Sequence, residues 1–387
     1  MHILHVYRTY FPDPPGGLQE AIRQICLSTK NFGVESTIFT LSPGPVPREI
    51  LRDEGCVTRS RSWAAPASCD LGGIDAFHSF GKYAHSADII HYHFPWPFAD
   101  FLHFGIKPDK PCVMTYHSDV VRKGWRGRLY QPLMRRMLNS MDAVVATSSP
   151  YIQSSPILKT RIQAERLHVI PLGITEDSYR QYRQDAAGIV LQKRFSLEPG
   201  AYFLFIGVLR PYKGLDTLIK AAAHTGIPVV IAGTGCEQAR LQSLGAHFHN
   251  VHFAGQVTDV EKMALIQGCR ALVLPSHLRS EAFGMVLVEA SMCGKPMITC
   301  EIGTGTSFVN MHEETGFVVS PESHHELARA MSTLLTDDKL ADRMGQAARE
   351  RYERLFSGSA LGCAYADLYR EVVRDAGEAH RVTGVDQ

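Results

Sequence analysis

Two glutamates eight positions apart mark the part of the chain with the clearest chemical character. Glu281 stands in a loop after a predicted strand, and Glu289 falls inside the following helix, about two helical turns further on. Between them, Phe283, Gly284 and Met285 present backbone N–H groups at a helix N-terminus, where unpaired donors and the helix dipole favour phosphate. A carboxylate on each side can bind sugar hydroxyls. An acidic first turn with one buried glutamate is the plainer alternative, which Gly284 and the apolar helix after it disfavour.

Two cations and two glycines, each placed after a predicted strand, are suited to a diphosphate. Arg210 and Lys213 follow the strand YFLFIG, where they can neutralise a leaving diphosphate. Gly16 and Gly17 follow the first strand, and glycine allows the backbone to approach a diphosphate closely. A solvated basic turn and an ordinary turn after two prolines would explain the same residues.

Histidines end two of the predicted strands. His117 ends the strand VMTYH, a position that a core histidine can also occupy. His91 and His93 share one face of another strand, a spacing that can bind metal. Because no carboxylate-rich or cysteine cluster accompanies them, we expect no metal site.

Short apolar runs that alternate with helical patterns must position these residues, and they predict parallel sheets covered on both faces. The first helix is predicted over Glu20–Ser28, after a loop rich in proline and glycine. The first series of strands is predicted at Ile3–Val6, Ser36–Leu41, Ala87–His93, Pro111–His117, Ala143–Thr147 and Leu167–Ile170.

A second series of the same kind follows a polar, charged crossover at residues 175–200. Its strands are predicted at Tyr202–Gly207, Pro228–Gly233, Val251–Ala254, Ala271–Pro275 and Pro296–Cys300, and its helices at Gly214–His224, Asp259–Gly268 and Gly284–Met292. We therefore predict an α/β chain of two Rossmann-like domains, at residues 1–173 and 174–355, with a helical segment at 356–387. Ligands of such sheets bind at the carboxyl ends of the strands.

Composition excludes several classes of function. The chain has 387 residues, 45% of them hydrophobic, and a formal net charge of +1, so no global charge favours nucleic acid. No apolar run is long enough to span a bilayer and no secretory signal is evident, which predicts a cytoplasmic protein. The nine cysteines contain no C-x-x-C pair, so neither a zinc ribbon nor a disulfide framework is expected.

In chain order, a set of short segments resembles family 4 of the retaining glycosyltransferases, which have the GT-B fold. The segments are GGLQE, YHSD, PLGI, VLRPYKGLD, FAGQV and PSHLRSEAFGMVLVEASMCGKPMI, followed by a terminal helix. The resemblance implies that the sheets of the two domains face each other across a donor crevice and that the C-terminal helix crosses back to the N-terminal domain. It implies retaining transfer of a hexose from a nucleotide sugar, with no cofactor and no bound metal.

The resemblance also implies roles for single residues. His117 would lie at the reacting centre, near the sugar and phosphate of the donor, and Glu281 would bind hydroxyls of the transferred sugar. Glu289 would bind the ribose hydroxyls, and the backbone at Val257 would meet the nucleobase.

The diphosphate would contact Gly16, Gly17, Arg210 and Lys213. Many family members place the arginine directly after a glycine, whereas Val208 occupies that position here. Arg210 lies two residues later, and we expect it to take over because residues i and i+2 share a strand face.

The segments YRTYFPDPPGG, HYHFPWPFAD and VLRPYKG, and the loop Gly303–Thr306, resemble bacterial mannosyltransferases of lipopolysaccharide O-antigen assembly. This likeness favours GDP-mannose as donor and a glycan or lipid-linked glycan as acceptor. A UDP-sugar-dependent enzyme of family 4, a nucleotide-sugar epimerase of the same fold, and a binding module without turnover are the alternatives. The two glutamates and the Lys213-Gly214 pair argue against the epimerase, and the presence of Glu281, Lys213 and His117 together argues against the binding module.

Residues 121–138 contain six basic and no acidic residues, interleaved with aromatic and aliphatic ones. Such a stretch is suited to anionic lipid, and would allow peripheral contact with the inner face of the cytoplasmic membrane. A solvated helix face with its apolar side in the core is an equal alternative.

Overall fold

The computed structural model describes residues 1–13, 16–66, 69–119, 125–180 and 197–383. The chain divides into two compact units. Unit 1 comprises Met1–Leu172 and Gly358–Gln387, and unit 2 comprises Gly173–Ser357. Each unit has one main sheet with helices packed against it, so each is described separately.

The sheet of unit 1 has the strand order β3-β4-β2-β1-β6-β7-β8-β9, with β5 paired to β4. Its strands are β1 His2–Val6, β2 Glu35–Ser42, β3 Glu49–Arg52, β4 Gly55–Ala64, β5 Leu71–Gly72, β6 Ile89–Phe94, β7 Cys112–Tyr116, β8 Ala143–Ala146 and β9 Leu167–Val169. All pairs are parallel except those of β3 and β5 with β4. The predicted parallel strands are thus observed, and two short strands that were not predicted, β3 and β5, pair antiparallel with β4.

The helices of unit 1 include the last helix of the chain. They are α1 Gly17–Lys30, α2 Ile74–Ser86, α3 Pro97–Ile106, α4 Trp125–Asn139, α5 Ser149–Ser154, α6 Pro156–Arg161 and α15 Gly358–Thr383. A short 3-10 turn, Ala164–Arg166, precedes β9. Helix α15 packs on α1 so closely that a Cβ added at Gly362 would stand 2.2 Å from the carbonyl oxygen of Ser28. Leu361, Tyr365 and Tyr369 of α15 share one core cluster with the central strands.

The sheet of unit 2 is parallel throughout, in the order β12-β11-β10-β13-β14-β15. Its strands are β10 Phe203–Ile206, β11 Val229–Ala232, β12 Val251–Gly255, β13 Ala271–Leu274, β14 Met297–Cys300 and β15 Gly316–Val319. The chain runs outward from β10 in one direction and then returns to continue from β13 in the other. The direction in which strands are added therefore changes between β10 and β13. The carboxyl ends of these two strands form the topological switch point, where open α/β sheets bind ligands.

The helices of unit 2 connect these strands. They are α7 Asp177–Arg180, α8 Leu215–Thr225, α9 Gln238–Gly245, α10 Asp259–Gly268, α11 Met285–Met292, α12 Thr306–Val309, α13 His324–Thr336 and α14 Asp338–Arg351, with a 3-10 turn at Pro211–Lys213 and a π-helical turn at Tyr352–Phe356. Much of the predicted crossover, residues 181–196, lies outside the described residues.

The basic stretch 121–138 is only partly described, because residues 120–124 lie outside the described ranges. In the described part of α4, Met134 and Met137 are buried, whereas Arg135 and Arg136 are exposed. Across the described ranges, we find no helix that combines the length and the apolar character needed to cross a bilayer.

Candidate functional site

Two loops are locked together at the switch point of unit 2. The loop after β10 ends at Gly214, whose φ of +69° is in the left-handed region that favours glycine. A Cβ added there would stand 2.0 Å from the carbonyl oxygen of Pro275, directly after β13. The backbone N–H of His277 also donates to the carbonyl oxygen of Tyr212, at 3.0 Å. The side chains on these loops are therefore held in fixed relative positions.

This locking brings Lys213 and Glu281 into contact. The Lys213 ammonium donates to Oε2 of Glu281, and the hydroxyl of Ser276 donates to the same oxygen at 3.1 Å. The two charged side chains keep only 12% and 10% of their surface exposed. Burial by itself lowers the pKa of Lys213, but the Glu281 carboxylate outweighs it, so the pKa is raised and the lysine stays charged. The predicted cation and the predicted sugar-binding carboxylate thus form one ion pair.

Glu289 lies in α11 and is held by two residues that the sequence analysis did not predict. Its Oε1 accepts hydrogen bonds from the ammonium of Lys262, at 2.7 Å, and from the hydroxyl of Tyr179, at 2.9 Å. Within the described ranges Oε2 accepts none. Burial lowers the pKa of Lys262, but Glu289 and Asp259 raise it more, so the net pKa is raised. Glu289 therefore has one carboxylate oxygen held by two donors, while the other accepts no hydrogen bond from the described residues.

The N-terminus of α11 has the geometry that the sequence predicted. Gly284 precedes the helix with φ +83°, and an added Cβ would stand 2.8 Å from Cδ2 of Leu274. The backbone N–H groups of Phe283, Gly284 and Met285 lie at this end, where helix geometry leaves donors without helical acceptors. Gly305 supports the loop from the side, since its N–H donates to the carbonyl oxygen of Ala282 at 2.8 Å.

The structure corrects the argument made for Arg210. Strand β10 ends at Ile206, so Val208 and Arg210 lie in a loop and do not share a strand face. Both residues are exposed. Arg210 still acts on Lys213, because its positive charge opposes the upward shift of the pKa of that lysine. The loop after β10, and not a shared strand face, therefore positions Arg210 close enough to act on Lys213.

Unit 2 also contains the predicted position Val257 and a glycine turn that contacts the loop after β10. Val257 lies half-buried two residues beyond the end of β12. The glycines of the Gly233-Thr234-Gly235 turn face the chain itself, because an added Cβ would meet the carbonyl oxygen of Gly207 at 2.0 Å in one case and that of Leu209 at 2.3 Å in the other. This turn supports the loop after β10, which is a sufficient reason for its glycines.

In unit 1, His117 is the last of three histidines joined by hydrogen bonds. Nδ1 of His5 lies 3.1 Å from Nε2 of His93, and Nδ1 of His93 lies 3.1 Å from Nε2 of His117. His5 belongs to β1, His93 to the neighbouring β6, and His117 directly follows β7. We call these three residues the histidine chain. Sequence spacing could not show it, because its members lie on, or directly after, three different strands.

His91 belongs to a second network beside the histidine chain. Its Nδ1 lies 2.7 Å from the hydroxyl of Tyr369 and its Nε2 lies 2.7 Å from that of Thr115, which in turn contacts the Tyr365 hydroxyl at 2.8 Å. Ligand atoms of His5, His91 and His93 lie within 4.8 Å of one another, so these three could hold a metal ion. The expectation of no metal site stays a prediction.

Burial keeps all four histidines neutral. It lowers the pKa of His5 to about 3, with a smaller contribution from His2, and it lowers the pKa of His117 to about 3. Burial and the neighbouring histidines lower the pKa of His91 and of His93. A neutral imidazole has one N–H donor and one acceptor nitrogen, so its tautomer decides what it can bind.

The loop after His117 is fixed by hydrogen bonds to Asp119. Oδ1 of Asp119 accepts from the hydroxyls of Tyr116, at 3.0 Å, and Ser155, at 2.7 Å. Its backbone N–H donates to the hydroxyl of Tyr151 at 2.6 Å. The aspartate therefore holds the backbone of the loop that carries His117.

Gly16 and Gly17 lie at the start of α1. An added Cβ at Gly17 would meet no atom within 4 Å, whereas at Gly16 it would meet the side chain of Gln19, whose Oε1 would lie 2.8 Å away. Packing within the described residues therefore does not require glycine at position 17, and close approach of a diphosphate to this backbone stays a prediction.

Two family profiles match the chain. Glycosyltransferase Family 4 matches residues 15–178, and Glycosyl transferases group 1 matches residues 191–351. Among relatives, D-rhamnosyltransferase WbpZ of Pseudomonas aeruginosa is 43% identical over 92% of this chain and 92% of that protein. O-antigen chain mannosyltransferase C of Escherichia coli is 38% identical over 95% of this chain and 98% of that protein.

Solved structures share the fold. Sucrose-phosphate synthase from Thermosynechococcus elongatus superposes with a TM-score of 0.77 at 22% identity, over 97% of this chain and 99% of that one. Anabaena HepE, solved in complex with UDP, superposes with a TM-score of 0.76 at 19% identity, over 96% of this chain and all of that one. The predicted class of two Rossmann-like domains is confirmed.

Proposed function

Because this chain belongs to family 4 of the GT-B glycosyltransferases, we propose that it transfers mannose from GDP-mannose to a glycan or lipid-linked glycan, with retention at the anomeric carbon. The observation that carries the proposal is the buried Lys213–Glu281 pair at the switch point of unit 2. It sets a fixed cation beside a fixed carboxylate where such sheets bind nucleotides.

Unit 2 supplies groups for each part of the donor. Lys213, Arg210 and the N-terminus of α11 would stabilise the negative charge that develops on the leaving diphosphate. Glu281 would accept hydrogen bonds from hydroxyls of the transferred sugar. The open oxygen of Glu289 would accept from the ribose hydroxyls, with Lys262 and Tyr179 holding the carboxylate in place. We propose no metal and no cofactor, since these cations and donors can fill that role.

Transfer would proceed without an enzyme-bound sugar. The bond between the anomeric carbon and the phosphate oxygen breaks, and the acceptor hydroxyl attacks from the same face. Its proton passes to the departing phosphate oxygen, so that one oxygen of the leaving group serves as the base. Catalysis is then mainly positioning and charge stabilisation, with Gly17 close to the diphosphate and His117 close to the reacting groups.

A second donor is favoured by the relatives themselves. WbpZ, named as a D-rhamnosyltransferase, is 43% identical, and the O-antigen mannosyltransferase is 38% identical. D-Rhamnose is 6-deoxy-D-mannose, so one pocket can accept the ring hydroxyls of both sugars. We therefore propose a role in O-antigen synthesis with GDP-mannose as first donor and GDP-D-rhamnose as second.

The test compares donors in binding and in turnover. A ligand that binds only the folded protein raises its thermal midpoint by mass action. We expect GDP to stabilise the protein more than UDP or ADP. GDP-mannose should yield a glycosylated acceptor whose new linkage is α by its NMR coupling constant. Stabilisation by UDP alone would reject the guanine donor. A changed donor sugar without acceptor would instead support an epimerase.

We also propose that residues 121–138 attach the protein peripherally to the inner face of the cytoplasmic membrane. Support comes from the six cations in this stretch and from the exposed positions of Arg135 and Arg136. A lipid-linked acceptor would be presented at that surface.

A further inference from the structure

The histidine chain crosses the core of unit 1 and ends at His117. Neighbouring rings are stacked, with centroids 5.4 Å apart between His5 and His93 and 5.3 Å apart between His93 and His117. Beyond the chain, Nε2 of His5 is buried and has no hydrogen-bond partner among the described residues. At the other end, Nδ1 of His117 is not engaged by the chain. The two hydrogen bonds therefore connect a buried ring nitrogen without a described partner, Nε2 of His5, to a ring nitrogen that no other histidine of the histidine chain contacts, Nδ1 of His117.

The three ring protons of the histidine chain can be placed in only two ways. Each neutral ring holds one proton, and each of the two internal hydrogen bonds needs one N–H facing one lone pair. If the protons point inward, Nε2 of His117 donates to His93, His93 donates to His5, and the last proton sits on the buried Nε2 of His5. If they point outward, every donor is Nδ1 and the last proton sits on Nδ1 of His117.

The two arrangements differ in which group is left unpaired in the core. Inward polarity buries an N–H donor without an acceptor, which folded proteins rarely tolerate. Outward polarity buries only a lone pair, which is less costly. We propose that the histidine chain is polarised outward, so that His93 fixes His117 as the Nδ1–H tautomer and makes it a hydrogen-bond donor.

This inference rests on the proposed function, in which His117 lies close to the reacting groups. As a donor, His117 binds an oxygen of the sugar or of the phosphate and cannot remove the proton of the acceptor hydroxyl. In the proposed transfer, that proton goes to the departing phosphate oxygen as the acceptor oxygen bonds to the anomeric carbon. His93 is a positioning residue, because it acts through His117.

Long-range 1H–15N correlation spectra of histidine-labelled wild-type protein test the tautomer directly. Signals of His117 are assigned by their loss in His117→Asn. We expect its proton on Nδ1, and likewise those of His93 and His5. A proton on Nε2 of His117 would overturn the proposal. If the proton is on Nδ1 but no nucleotide sugar gives product, the proposed function fails while the proton arrangement stands.

A pair of matched variants tests the positioning role. His93→Phe removes the partner of His117, whereas His91→Phe makes the same change on the same buried strand outside the histidine chain. We expect His93→Phe to lower kcat by about 10–100-fold, as lost orienting hydrogen bonds do in metal sites. In this variant, His117 should no longer be restricted to the tautomer with its proton on Nδ1. The second should keep the tautomer. Equal losses of kcat, with the tautomer of His117 unchanged in both, would reject the positioning role.

Discussion

At the scale of single residues, the Lys213–Glu281 pair is a charge pair in which either partner alone would be costly. Both side chains are almost buried, and a buried charge that loses its partner is destabilising. A substrate hydroxyl that donates to Glu281 therefore enters a site whose charges are already balanced. The pair is better tested by a neutral substitution of the same shape than by truncation.

Glu281→Gln keeps the shape of the side chain and removes its charge. We expect turnover to fall by about 10²–10³-fold, the size typical of a lost electrostatic contact in a transition state, while GDP affinity stays close to that of the parent. Steady-state kinetics and calorimetry measure both. Ser276→Ala, which removes the other hydrogen bond to the same oxygen, is the control and should cost much less. A large loss of GDP affinity in Glu281→Gln would contradict the sugar-binding role.

Glu289→Ala removes the proposed ribose acceptor and leaves Lys262 paired with Asp259 but not with Glu289. We expect calorimetry to show GDP binding about 10–100-fold weaker, as for a lost hydrogen bond to a charged group. Tyr179→Phe, which removes only one anchor of the carboxylate, should have a smaller effect of the same sign. Unchanged GDP affinity in Glu289→Ala rejects the ribose role.

The buried histidines predict acid sensitivity in unit 1. In the unfolded chain a histidine has a pKa near 6.5, whereas burial lowers the pKa of His5 and His117 to about 3. Below about pH 6.5 the unfolded state binds protons that the folded state does not, so stability falls as the pH falls. From pH 6.5 to 5 the free energy of unfolding should drop by about 2 kcal/mol for each such histidine.

Tryptophan fluorescence reports this loss, because Trp63, Trp96 and Trp125 all lie in unit 1. Urea midpoints are measured at pH 7 and pH 5. His247→Gln, at an exposed position of unit 2, should leave the difference unchanged. Equal midpoints at both pH values would contradict neutral buried histidines.

At the scale of elements, Gly214 joins the loop after β10 to the loop after β13. Gly214→Ala adds a Cβ in the left-handed region, which costs about 1–2 kcal/mol, and sets it 2.0 Å from a backbone oxygen. We expect a loss of stability well above that value, with a lower kcat because Lys213 moves. Calorimetry and kinetics measure these effects.

Gly226→Ala is the matched control for this change. Its φ is +72°, but an added Cβ there would meet no atom within 4 Å, so it carries the conformational cost alone. Similar losses in the two variants would mean that the contact with Pro275 does not hold the loops.

The elements that could be predicted from sequence are those with local signals. Helix α10 was predicted with its observed bounds, and Thr258 and Glu261 form a capping box at its start. Strand β3 was missed because its side chains alternate between exposed and half-buried, so no continuous apolar run marks it. The contacts of Lys262 and Tyr179 with Glu289 could not be predicted, because only tertiary packing brings them together.

At the scale of the whole molecule, attachment to a membrane would depend on many weak contacts. Each cation near an anionic surface contributes about 1 kcal/mol, screened by salt. Replacing Arg122, Lys123, Arg126 and Arg128 with serine should abolish sedimentation with anionic liposomes and spare turnover on a short water-soluble acceptor.

A control variant removes the same number of cations from unit 2. It replaces four exposed residues, Lys220, Arg329, Lys339 and Arg343, with serine. Sedimentation of this control should match that of the parent. If the variant of the basic stretch still sediments fully, the stretch is only a solvated helix face.

The packing of α15 against α1 has a consequence for how the protein is made. During translation, residues 1–172 of unit 1 emerge from the ribosome first. The helix that carries Tyr365 and Tyr369 emerges only after all of unit 2. At about 5–20 residues per second, this delay is on the order of ten seconds or more. Through that interval the nascent first unit exposes the apolar surface that α15 will cover. Unit 2 can complete its core before the unit that precedes it, so the order of folding would reverse the order of translation.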